Sequence, residues 1–406
     1  MRLIYPLILF PLFFLCQCIQ SQSHDDKDII NMRKYSKIKQ WGVNYLIDIE
    51  GNEYKFTDNI DKLDQTIEAF DPSKQGIFAS EDLQQKIFGN HQLKVLFLYE
   101  CGIRQLSTEI GQLKNLQSLD LSWNLNLTSL PAEIGQLKNL QSLYLTYSFE
   151  LTSLPTEIGQ LSQLQTLDLG YNYKLSLLPI ELGQLRNLET LDLSHNYKLS
   201  SLPTELGQLR NLKTLNLSGI NLSSLPAELG QLRNLNTLDL SGIDSLSSLP
   251  AELGQLTNLQ TLDLSRNVLT SLPAEIGQLT SLRTLDLKWS KNLSSLPEEI
   301  GQLTNLQELD LMYNKKLTFL PIEIGQLINL QTLNLYSNVN LTSLPAEIGQ
   351  LTNLQNLDLS ATNLTSIPKE IGQLTNLRSL NLKDTNLPKE EIQKIKKLLP
   401  NCKIIL

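Results

Sequence analysis

The sequence is poor in the residue types on which most enzyme sites depend. Its 406 residues include three histidines and four cysteines, and they contain no glycine-rich phosphate loop and no nucleophile-elbow motif. The carboxylates that are present recur with a fixed period, so a pair of them gives little support for acid–base catalysis. The sequence therefore predicts a protein that is not an enzyme and that needs no cofactor.

Positive charge is also in deficit. Lys and Arg number 34 against 42 for Asp and Glu, which gives a net charge of −8 and a pI near 5.1. Nucleic-acid binding by neutralisation of phosphates needs a basic face, and the lysines here are scattered along the chain. We therefore expect no nucleic-acid partner.

Long apolar runs are missing except at the N-terminus. Residues 3–15 form an apolar run of 13 residues that follows Arg2 and contains Pro6 and Pro11. Such a run is too short to span a bilayer as a helix, so it predicts a secretory signal peptide over residues 1–21 and no transmembrane segment. The predicted location is the cell surface or the extracellular medium. A buried N-terminal segment is the alternative.

Two of the four cysteines lie at the end of this apolar run. Cys16 and Cys18 are alternative sites for a lipid anchor, which would make the chain an outer-membrane lipoprotein. The bulky Phe13, Phe14 and Leu15 that precede Cys16 depart from the small-residue pattern of lipoproteins.

Most of the remaining chain is one repeated segment. Residues 116–139, LQSLDLSWNLNLTSLPAEIGQLKN, recur at intervals of 23 or 24 residues and make thirteen copies over residues 93–387. A fixed period of this size indicates a solenoid, because one copy cannot bury its apolar side chains without a neighbour on each side. The two other cysteines, Cys101 and Cys402, then lie at opposite ends of the array and cannot form a disulfide.

The repeat pattern L-x-x-L-x-L-x-x-N-x-(x)-L-x-x-L-P-x-E-I-G-Q-L-x-N resembles the leucine-rich-repeat family. Within that family it is most similar to bacterial proteins with LPxEIGQLxNLQxLxL repeats, and more distantly to cytosolic Ras-scaffold proteins. The resemblance implies an α/β solenoid with a curved parallel sheet on the concave side and short helical or 3-10 turns on the convex side. It also implies a non-catalytic recognition surface, often for another protein.

Several positions of the repeat have predicted structural roles. Asn124 is expected to satisfy backbone groups where the chain leaves the sheet, so Ile220 and Ile243, which replace it in two adjacent repeats, predict a locally disturbed turn. Pro131 is expected at the first helical position of the return segment. Gly135 is expected to end that turn with a positive φ angle.

The flanking segments predict two caps. Residues 24–92 read as a linker and a small α+β N-terminal cap, with a β-hairpin over residues 41–57 and helices over residues 61–70 and 80–88. Residues 388–406 read as a helical C-terminal cap that ends in an apolar strand over residues 402–406.

One loop of the predicted N-terminal cap resembles a calcium-binding loop. Positions 1, 3, 5, 6 and 12 of an EF-hand-like loop are occupied by Asp71, Ser73, Gln75, Gly76 and Asp82. Calcium needs six or more oxygen ligands, yet Gln75 is neutral and Asp82 is shorter than the usual bidentate Glu. No second loop is present to pair with it. A plain helix-turn-helix with Pro72 and Gly76 in the turn is the alternative.

The leucine positions of the repeat, which we call the frame, are expected to be buried in the core. Any binding specificity therefore lies at the variable positions near the strands. Aromatic residues there form two clusters, over repeats two to four and nine to eleven. The predicted partner-binding residues are Trp123, Tyr144, Tyr147, Tyr171, His195, Arg266, Trp289, Tyr313 and Tyr336. Rings supply large contact area at low entropy cost. The alternative is that the rings only cover the sheet edge and the Asn turn.

A second stripe lies between the last two leucines of the L-x-x-L-x-L frame. It consists of Asp120, Asp168, Asp192, Asp239, Asp263, Asp286, Asp310 and Asp358. Carboxylates repeated at the strand spacing of about 4.8 Å predict an acidic face suited to a basic partner or to divalent cations. The alternative is a solvated strand face that discourages aggregation.

Taken together, these patterns predict an exported module that binds a host or envelope protein through its concave face. Binding of carbohydrate or cell wall is one alternative, since rings also stack on sugars. A structural spacer or self-associating rod is the other.

Overall fold

The described strands of the chain form one continuous sheet. The computed structural model describes residues 35–40, 43–48, 53–72 and 81–406. Strands β1, β2 and β3 pair antiparallel, and from β3 to β18 each strand pairs parallel with the next. The eighteen strands are Tyr35–Gln40, Val43–Asp48, Glu53–Thr57, Ala69–Phe70, Val95–Phe97, Ser118–Asp120, Ser142–Tyr144, Thr166–Asp168, Thr190–Asp192, Thr214–Asn216, Thr237–Asp239, Thr261–Asp263, Thr284–Asp286, Glu308–Asp310, Thr332–Asn334, Asn356–Asp358, Ser379–Asn381 and Lys403–Ile405.

Short helical turns return the chain from the end of one strand to the start of the next. Each of the twelve repeats from the first to the twelfth contains a five-residue 3-10 turn that carries a Glu in its first turn. These turns are Thr108–Gln112, Ala132–Gln136, Thr156–Gln160, Ile180–Gln184, Thr204–Gln208, Ala227–Gln231, Ala251–Gln255, Ala274–Gln278, Glu298–Gln302, Ile322–Gln326, Ala346–Gln350 and Lys369–Gln373. Pro131 is the N-cap of its turn and not, as predicted, its first helical residue. Parallel strands joined by 3-10 turns confirm the predicted solenoid.

One apolar core runs through the array. It extends from Leu63 to Leu399, and the frame leucines within it are almost fully buried. Equivalent leucines pair across the sheet, as Leu191, Leu215 and Leu238 do in three successive strands. A shift of one residue would move these leucines to the other face, so the pattern itself sets the register.

The repeated glycine has a different role from the predicted one. Gly135 lies inside the 3-10 turn and is not among the residues with positive φ. A Cβ atom there would lie 2.5 Å from the carbonyl oxygen of Glu157 in the next turn, and one at Gly230 would lie 2.2 Å from that of Glu252. Glycine is therefore required because neighbouring turns approach too closely for any side chain.

The predicted disturbance at Ile220 and Ile243 is wrong. Strands on both sides of these turns keep the common register, and the preceding Gly219 and Gly242 have the same positive φ as the equivalent residues of the other repeats. Both isoleucines are buried, so they add to the core, and the Asn267 side chain accepts the backbone N–H of Ile243 at 2.9 Å.

The N-terminal flank differs in part from the expectation. The hairpin of β2 and β3 is confirmed, and strand β1 lies in the segment predicted as linker. The predicted helix over residues 61–70 is wrong. A 3-10 turn at Ile60–Lys62 is followed by β4, because Ala69–Phe70 pairs in parallel with β3 and β5 and so extends the sheet by one more strand.

Within the described residues, two α-helices flank the repeats. Helix α1 spans Glu81–Phe88, as predicted, and α2 spans Lys389–Leu398 before β18. Neither these helices nor the shorter ones in the described ranges could cross a bilayer. The signal peptide over residues 1–21 lies outside the described residues, as do Cys16 and Cys18. The domain boundaries and the capping role of the flanks stay predictions.

Leu215→Ala tests the shared core. Leu215 has 1% of its surface exposed, belongs to the apolar core and pairs across the sheet with Leu191 and Leu238. Its truncation is expected to lower the free energy of unfolding by about 2 to 5 kcal/mol, measured by chemical denaturation. Leu125→Ala, at a leucine that is 40% exposed, is the control and should cost little. Unchanged stability of Leu215→Ala would contradict the interlocked packing.

Gly230→Ala tests the close approach of the turns. We expect a loss of about 1 to 3 kcal/mol, because backbone atoms of two turns must separate to admit the methyl group. Gly372→Ala is the matched control, since the nearest atom to its Cβ would be a side-chain atom of Leu398 at 3.3 Å. Equal losses for the two variants in thermal unfolding would contradict this explanation.

Candidate partner-binding surface

A left-handed residue follows the strand in every repeat. The φ angles lie between 52° and 66° at Glu100, Trp123, Tyr147, Tyr171, His195, Gly219, Gly242, Arg266, Trp289, Tyr313, Ser337, Ala361 and Asp384. The N–H of such a residue extends the inter-strand ladder, as when Trp123 donates to the carbonyl of Thr146 at 2.8 Å. Side chains at this position therefore line one rim of the sheet, at the carboxyl ends of the strands.

Four of these side chains form a continuous stack, which we name the rim ladder: Trp123, Tyr147, Tyr171 and His195. Successive ring centroids lie 4.3, 4.5 and 4.4 Å apart, with interplanar angles of 14° to 27°. The distances match the spacing of parallel strands, about 4.8 Å, because each ring belongs to the next repeat. Tyr99 meets the first ring edge-on at 6.4 Å.

A second stack, which the sequence reasoning missed, lies beside the rim ladder. This outer ladder consists of Phe149, Tyr173 and Tyr197, with centroid distances of 4.6 and 5.2 Å. It meets the rim ladder edge-on, at 6.0 Å between Tyr147 and Phe149 and at 5.9 Å between His195 and Tyr197. Its signal in the sequence is an aromatic residue directly after the Asn-turn position at 24-residue spacing.

Glycine ends the rim ladder. A Cβ at Gly219 would lie 2.6 Å from Nδ1 of His195, so the absent side chain makes room for the imidazole. The same Nδ1 lies 3.2 Å from the hydroxyl of Tyr197. His195 thus joins the two ladders at their C-terminal end.

A second ring cluster lies further along the same rim. Trp289 and Tyr313 are stacked at 3.9 Å, and Tyr336 meets Tyr313 edge-on at 5.1 Å with 3.3 Å between the two hydroxyls. Between the two clusters the rim carries Gly219 and Gly242, followed by the exposed Arg266. The predicted division into two aromatic clusters with a small middle therefore holds in the structure.

The rings differ in how much surface they offer. Tyr147 is 7% exposed and is enclosed between its neighbours, whereas Tyr197 is 52% and Trp289 is 37% exposed. The remaining rings of the ladders are half-buried. The alternative that rings cover the sheet edge therefore applies to Tyr147, while the ends of the ladders offer ring surface to solvent.

The acidic stripe holds the strand-end turns. In each of the eight repeats that carry Asp in the stripe, an oxygen of that Asp side chain accepts a hydrogen bond from the backbone N–H two residues later, at 2.8 to 3.0 Å. Asn216, Asn334 and Asn381 do the same at their positions, so an acceptor and not a charge is what the turn requires. Tyr144 occupies the stripe position in β7 and is half-buried.

Known proteins share this repeat architecture. A family model described as "Leucine-rich repeat region" matches residues 75–170, 144–241, 238–337 and 321–400. The chain belongs to the leucine-rich repeat family. No curated protein is similar enough to match it.

Solved structures agree with this assignment. The chain is similar to the Leptospira interrogans LRR protein LIC12759, with 39% identity, a TM-score of 0.69, and coverage of 84% of this chain and 90% of that one. An internalin, InlF from Listeria monocytogenes, shares the fold at 20% identity and TM-score 0.56, covering 73% and 82% of the two chains. The plant peptide hormone receptor RGFR1, solved in complex with RGF2, shares it at 24% and 0.52, covering 90% and 71%.

Not every carboxylate of this leucine-rich repeat protein is an ordinary surface acid. Burial raises the pKa of Asp168 to about 7, and the negative charge of Asp192 is the second cause of this increase. Burial also raises the pKa values of Asp192, Asp263 and Asp310. Near neutral pH the stripe is therefore less negative than its count of aspartates suggests.

The opposite rim of the repeats is polar. Asn side chains of the L-x-N positions donate to a carbonyl of the preceding repeat, as Asn353 does to Ile328 at 2.8 Å. A groove of about 370 Å³ on this side is lined by Asn329, Gln331, Asn353, Gln355, Asn376 and Arg378. These amides tie adjacent repeats together, a role that the sequence reasoning did not assign.

No group of three or more His, Cys, Asp or Glu that could hold a metal ion occurs in the described part of the chain. Of the candidate calcium loop, Asp71 is described and is buried. Ser73, Gln75 and Gly76 lie outside the described residues, and so does the side chain of Asp82. Calcium binding stays a prediction.

Asp168→Asn is expected to change the pH dependence of stability. The folded chain keeps a proton on Asp168 up to about pH 7, whereas the unfolded chain loses it near 3.8, so folding loses stability as pH rises between these values. Asn keeps the acceptor for the N–H of Gly170 and removes the charge. We expect a melting temperature a few degrees higher at pH 8 and little change at pH 4.

The same substitution at the half-buried Asp239, which makes the equivalent bond to Ser241, is the control. Melting curves of both variants at pH 4, 6 and 8 would measure the difference. If Asp168→Asn lowered stability at pH 8, the buried carboxyl would not be the source of the pH dependence.

Proposed function

We propose that this leucine-rich repeat protein is an exported, non-enzymatic module that captures another protein through the ring-bearing rim of its sheet. The observation that carries the proposal is the alignment of seven rings in two adjoining ladders at the carboxyl ends of strands β6 to β9. The leucine-rich repeat family, to which the chain belongs, serves as a scaffold for protein interaction.

The ladders have the physical properties of a binding surface. Stacked rings cannot rotate freely, so the docking of a partner on them costs little further side-chain entropy of the rings. Aromatic residues also dominate the binding energy of interfaces, where they fill the dry centre. Tyr197 and Trp289 are the rings that offer most surface, and they border the glycine-containing middle of the rim from opposite sides.

A protein of the host or of the bacterial envelope is the partner that we propose. Export rests on the apolar N-terminal run that follows Arg2, and it places the chain outside the cell or on its surface. A lipid anchor at Cys16 or Cys18 is the alternative form of that location. Carboxylates of the stripe that remain half-buried, such as Asp239, favour lysine or arginine on the partner.

Carbohydrate is the alternative ligand class. Flat, co-aligned rings with a spacing of 4.3 to 5.2 Å offer the faces on which sugar rings also stack. A glycan array probed with the same chain separates this alternative from protein capture.

Removal of ladder rings that keep accessible surface is expected to weaken capture. Trp123→Ala with Tyr171→Ala and Tyr197→Ala should lower partner recovery from host or envelope extracts at least about tenfold, because truncation of aromatic anchors typically costs 2 kcal/mol or more each. Tyr147 stays unchanged, since it is enclosed between its neighbours and its removal would disturb folding. Recovery is quantified on immobilised chain.

Phe319→Ser is the matched control for Tyr197, because it removes an equally exposed ring, 51% against 52% accessible, from the segment that precedes the 3-10 turn Ile322–Gln326. The control should retain capture. Undiminished recovery by the triple variant would place the binding site elsewhere, and recovery of glycans alone would replace the protein proposal by the carbohydrate one.

A further inference from the structure

One position on the rim opposite the ring ladders carries an arginine in three successive repeats. It is the middle residue of the L-x-N segment that follows the 3-10 turn. In the fourth, fifth and sixth repeats this residue is Arg186, Arg210 and Arg233, and we name these three side chains the arginine row. Five other repeats carry Thr at the same position, so the fold does not require a cation there.

The arginine row has no acidic partner within the described residues. All three side chains are exposed, and no ion pair joins them to a carboxylate of the described chain. Glu189, an acidic residue on the same rim, is paired with Lys213 at 2.8 Å. Guanidinium groups stay charged at physiological pH, and like charges at the strand spacing of about 4.8 Å repel each other even in water. A ligand with several negative charges would relieve this repulsion.

The backbone that carries the row is held in place by the adjoining repeats. The side-chain amide of Asn211 donates to the carbonyl oxygen of Arg186 at 2.9 Å, and that of Asn234 donates to the carbonyl oxygen of Arg210 at 2.8 Å. The cations therefore recur at the interval of the strands, about 4.8 Å, in a line along the array. A linear partner that runs along the array can meet one of them in each repeat.

Hydrogen-bond acceptors accompany the cations. Asn187, Asn211 and Asn234 directly follow the three arginines, and each directs its amide N–H to a carbonyl oxygen of the preceding repeat. These Asn side chains are exposed, and their oxygens accept no hydrogen bond from the described residues. The oxygens are therefore available to hydroxyl groups of a ligand.

A linear chain of acidic sugars has the groups that match this rim. Its carboxylates or sulfates suit guanidinium groups, its hydroxyls suit the Asn oxygens, and the length of a sugar ring is close to the strand spacing of about 4.8 Å. Single-stranded nucleic acid binds by stacking on aromatic rings, which the row lacks. An extended acidic peptide places side chains of one face roughly 6.8 Å apart, which does not match the row.

We propose that the arginine row binds a linear polysaccharide that carries carboxylate or sulfate groups, with the sugar chain along the array and an anion at each of the three arginines. This site lies on the rim opposite the ring ladders, so it is additional to the proposed capture of a protein and leaves the rings free. The whole chain has a net charge of −8, so its overall charge repels such a polymer and attraction comes from the local row.

Dextran sulfate and polygalacturonate are the probes, with unsulfated dextran of the same length as the neutral control. The full chain should bind one or both acidic polymers and not dextran, measured by isothermal titration calorimetry. Arg186→Thr with Arg210→Thr and Arg233→Thr installs the residue of five other repeats. This variant should raise the dissociation constant at least about tenfold, because three charge-assisted contacts are lost.

A variant with the same change in net charge is the control. Lys389→Gln with Lys396→Gln and Lys397→Gln removes three exposed cations from α2 and should keep the affinity of the parent chain. Melting curves confirm that both variants are folded. Absence of binding to both acidic polymers, or equal losses in the two variants, would overturn the proposal. Tighter arginine-dependent binding of a single-stranded DNA oligonucleotide or of phosphatidylglycerol vesicles would also overturn it.

Relocation of the row tests whether adjacent cations are required. On the chain with all three arginines replaced, Thr257→Arg with Thr280→Arg and Thr304→Arg builds a new row in three successive repeats and should restore binding. The matched control, Ser162→Arg with Thr257→Arg and Thr352→Arg, restores the same charge at intervals of four repeats. These cations lie roughly 19 Å apart, beyond the screening length of about 10 Å at 0.1 M salt, so the affinity should stay low. Equal affinity of the two chains would contradict a linear site.

The ring variant of the protein-capture experiment separates the two proposals. Trp123→Ala with Tyr171→Ala and Tyr197→Ala leaves the arginine row intact and should bind the acidic polymers as the parent chain does. If this variant lost the polymers while the arginine variant kept them, the sugar site would lie on the ladders. That result would reject the arginine row and support the carbohydrate alternative of the proposed function.

Discussion

The close contact between one repeat and the next is the constraint from which the rest of the structure follows. On the strand side the repeats are held at the distance of paired parallel strands, and on the turn side glycine allows backbone to touch backbone. The leucines between these two layers are buried only because both contacts are made at once. A repeat protein of this kind has no local core that could survive the loss of its neighbours.

The same constraint places a side chain that recurs at one surface position next to its counterparts in the adjoining repeats, so that these side chains form a ladder. An aromatic residue in successive repeats must stack on its neighbour, because the strand spacing is close to the distance at which rings stack. Every residue of the rim ladder also has a strained backbone, since the left-handed conformation costs a residue other than glycine about 1 to 2 kcal/mol. Ring stacking contributes about 0.5 to 1.5 kcal/mol per pair, which offsets much of that cost. Gly219 and Gly242 lack the strain and also lack the rings.

Structure and binding therefore share residues on this rim. The aspartates of the stripe look like a charged binding face, yet each holds a strand-end turn, and after Asp120, Asp168 and Asp286 that turn carries an aromatic ring. Asn216 performs the same task without a charge. Tyr147 supports the rings on both sides of it while offering almost no surface itself. The rings at the ends of the ladders, such as Tyr197, are those left to meet a partner.

By itself, the sequence determined the repeat, its register, the buried leucines and the positions at which rings recur, because a fixed period leaves one way to bury every leucine. Only the tertiary structure decided what depends on the adjoining repeat. Gly135 is glycine because of the carbonyl of Glu157, a contact invisible within one repeat. The strand at Ala69–Phe70 exists because β3 and β5 pair with it, which overrides the helical spacing of its apolar residues. The local sequence pattern determines which face of an element is buried. Contacts with segments that are distant in the chain determine the backbone conformation of that element.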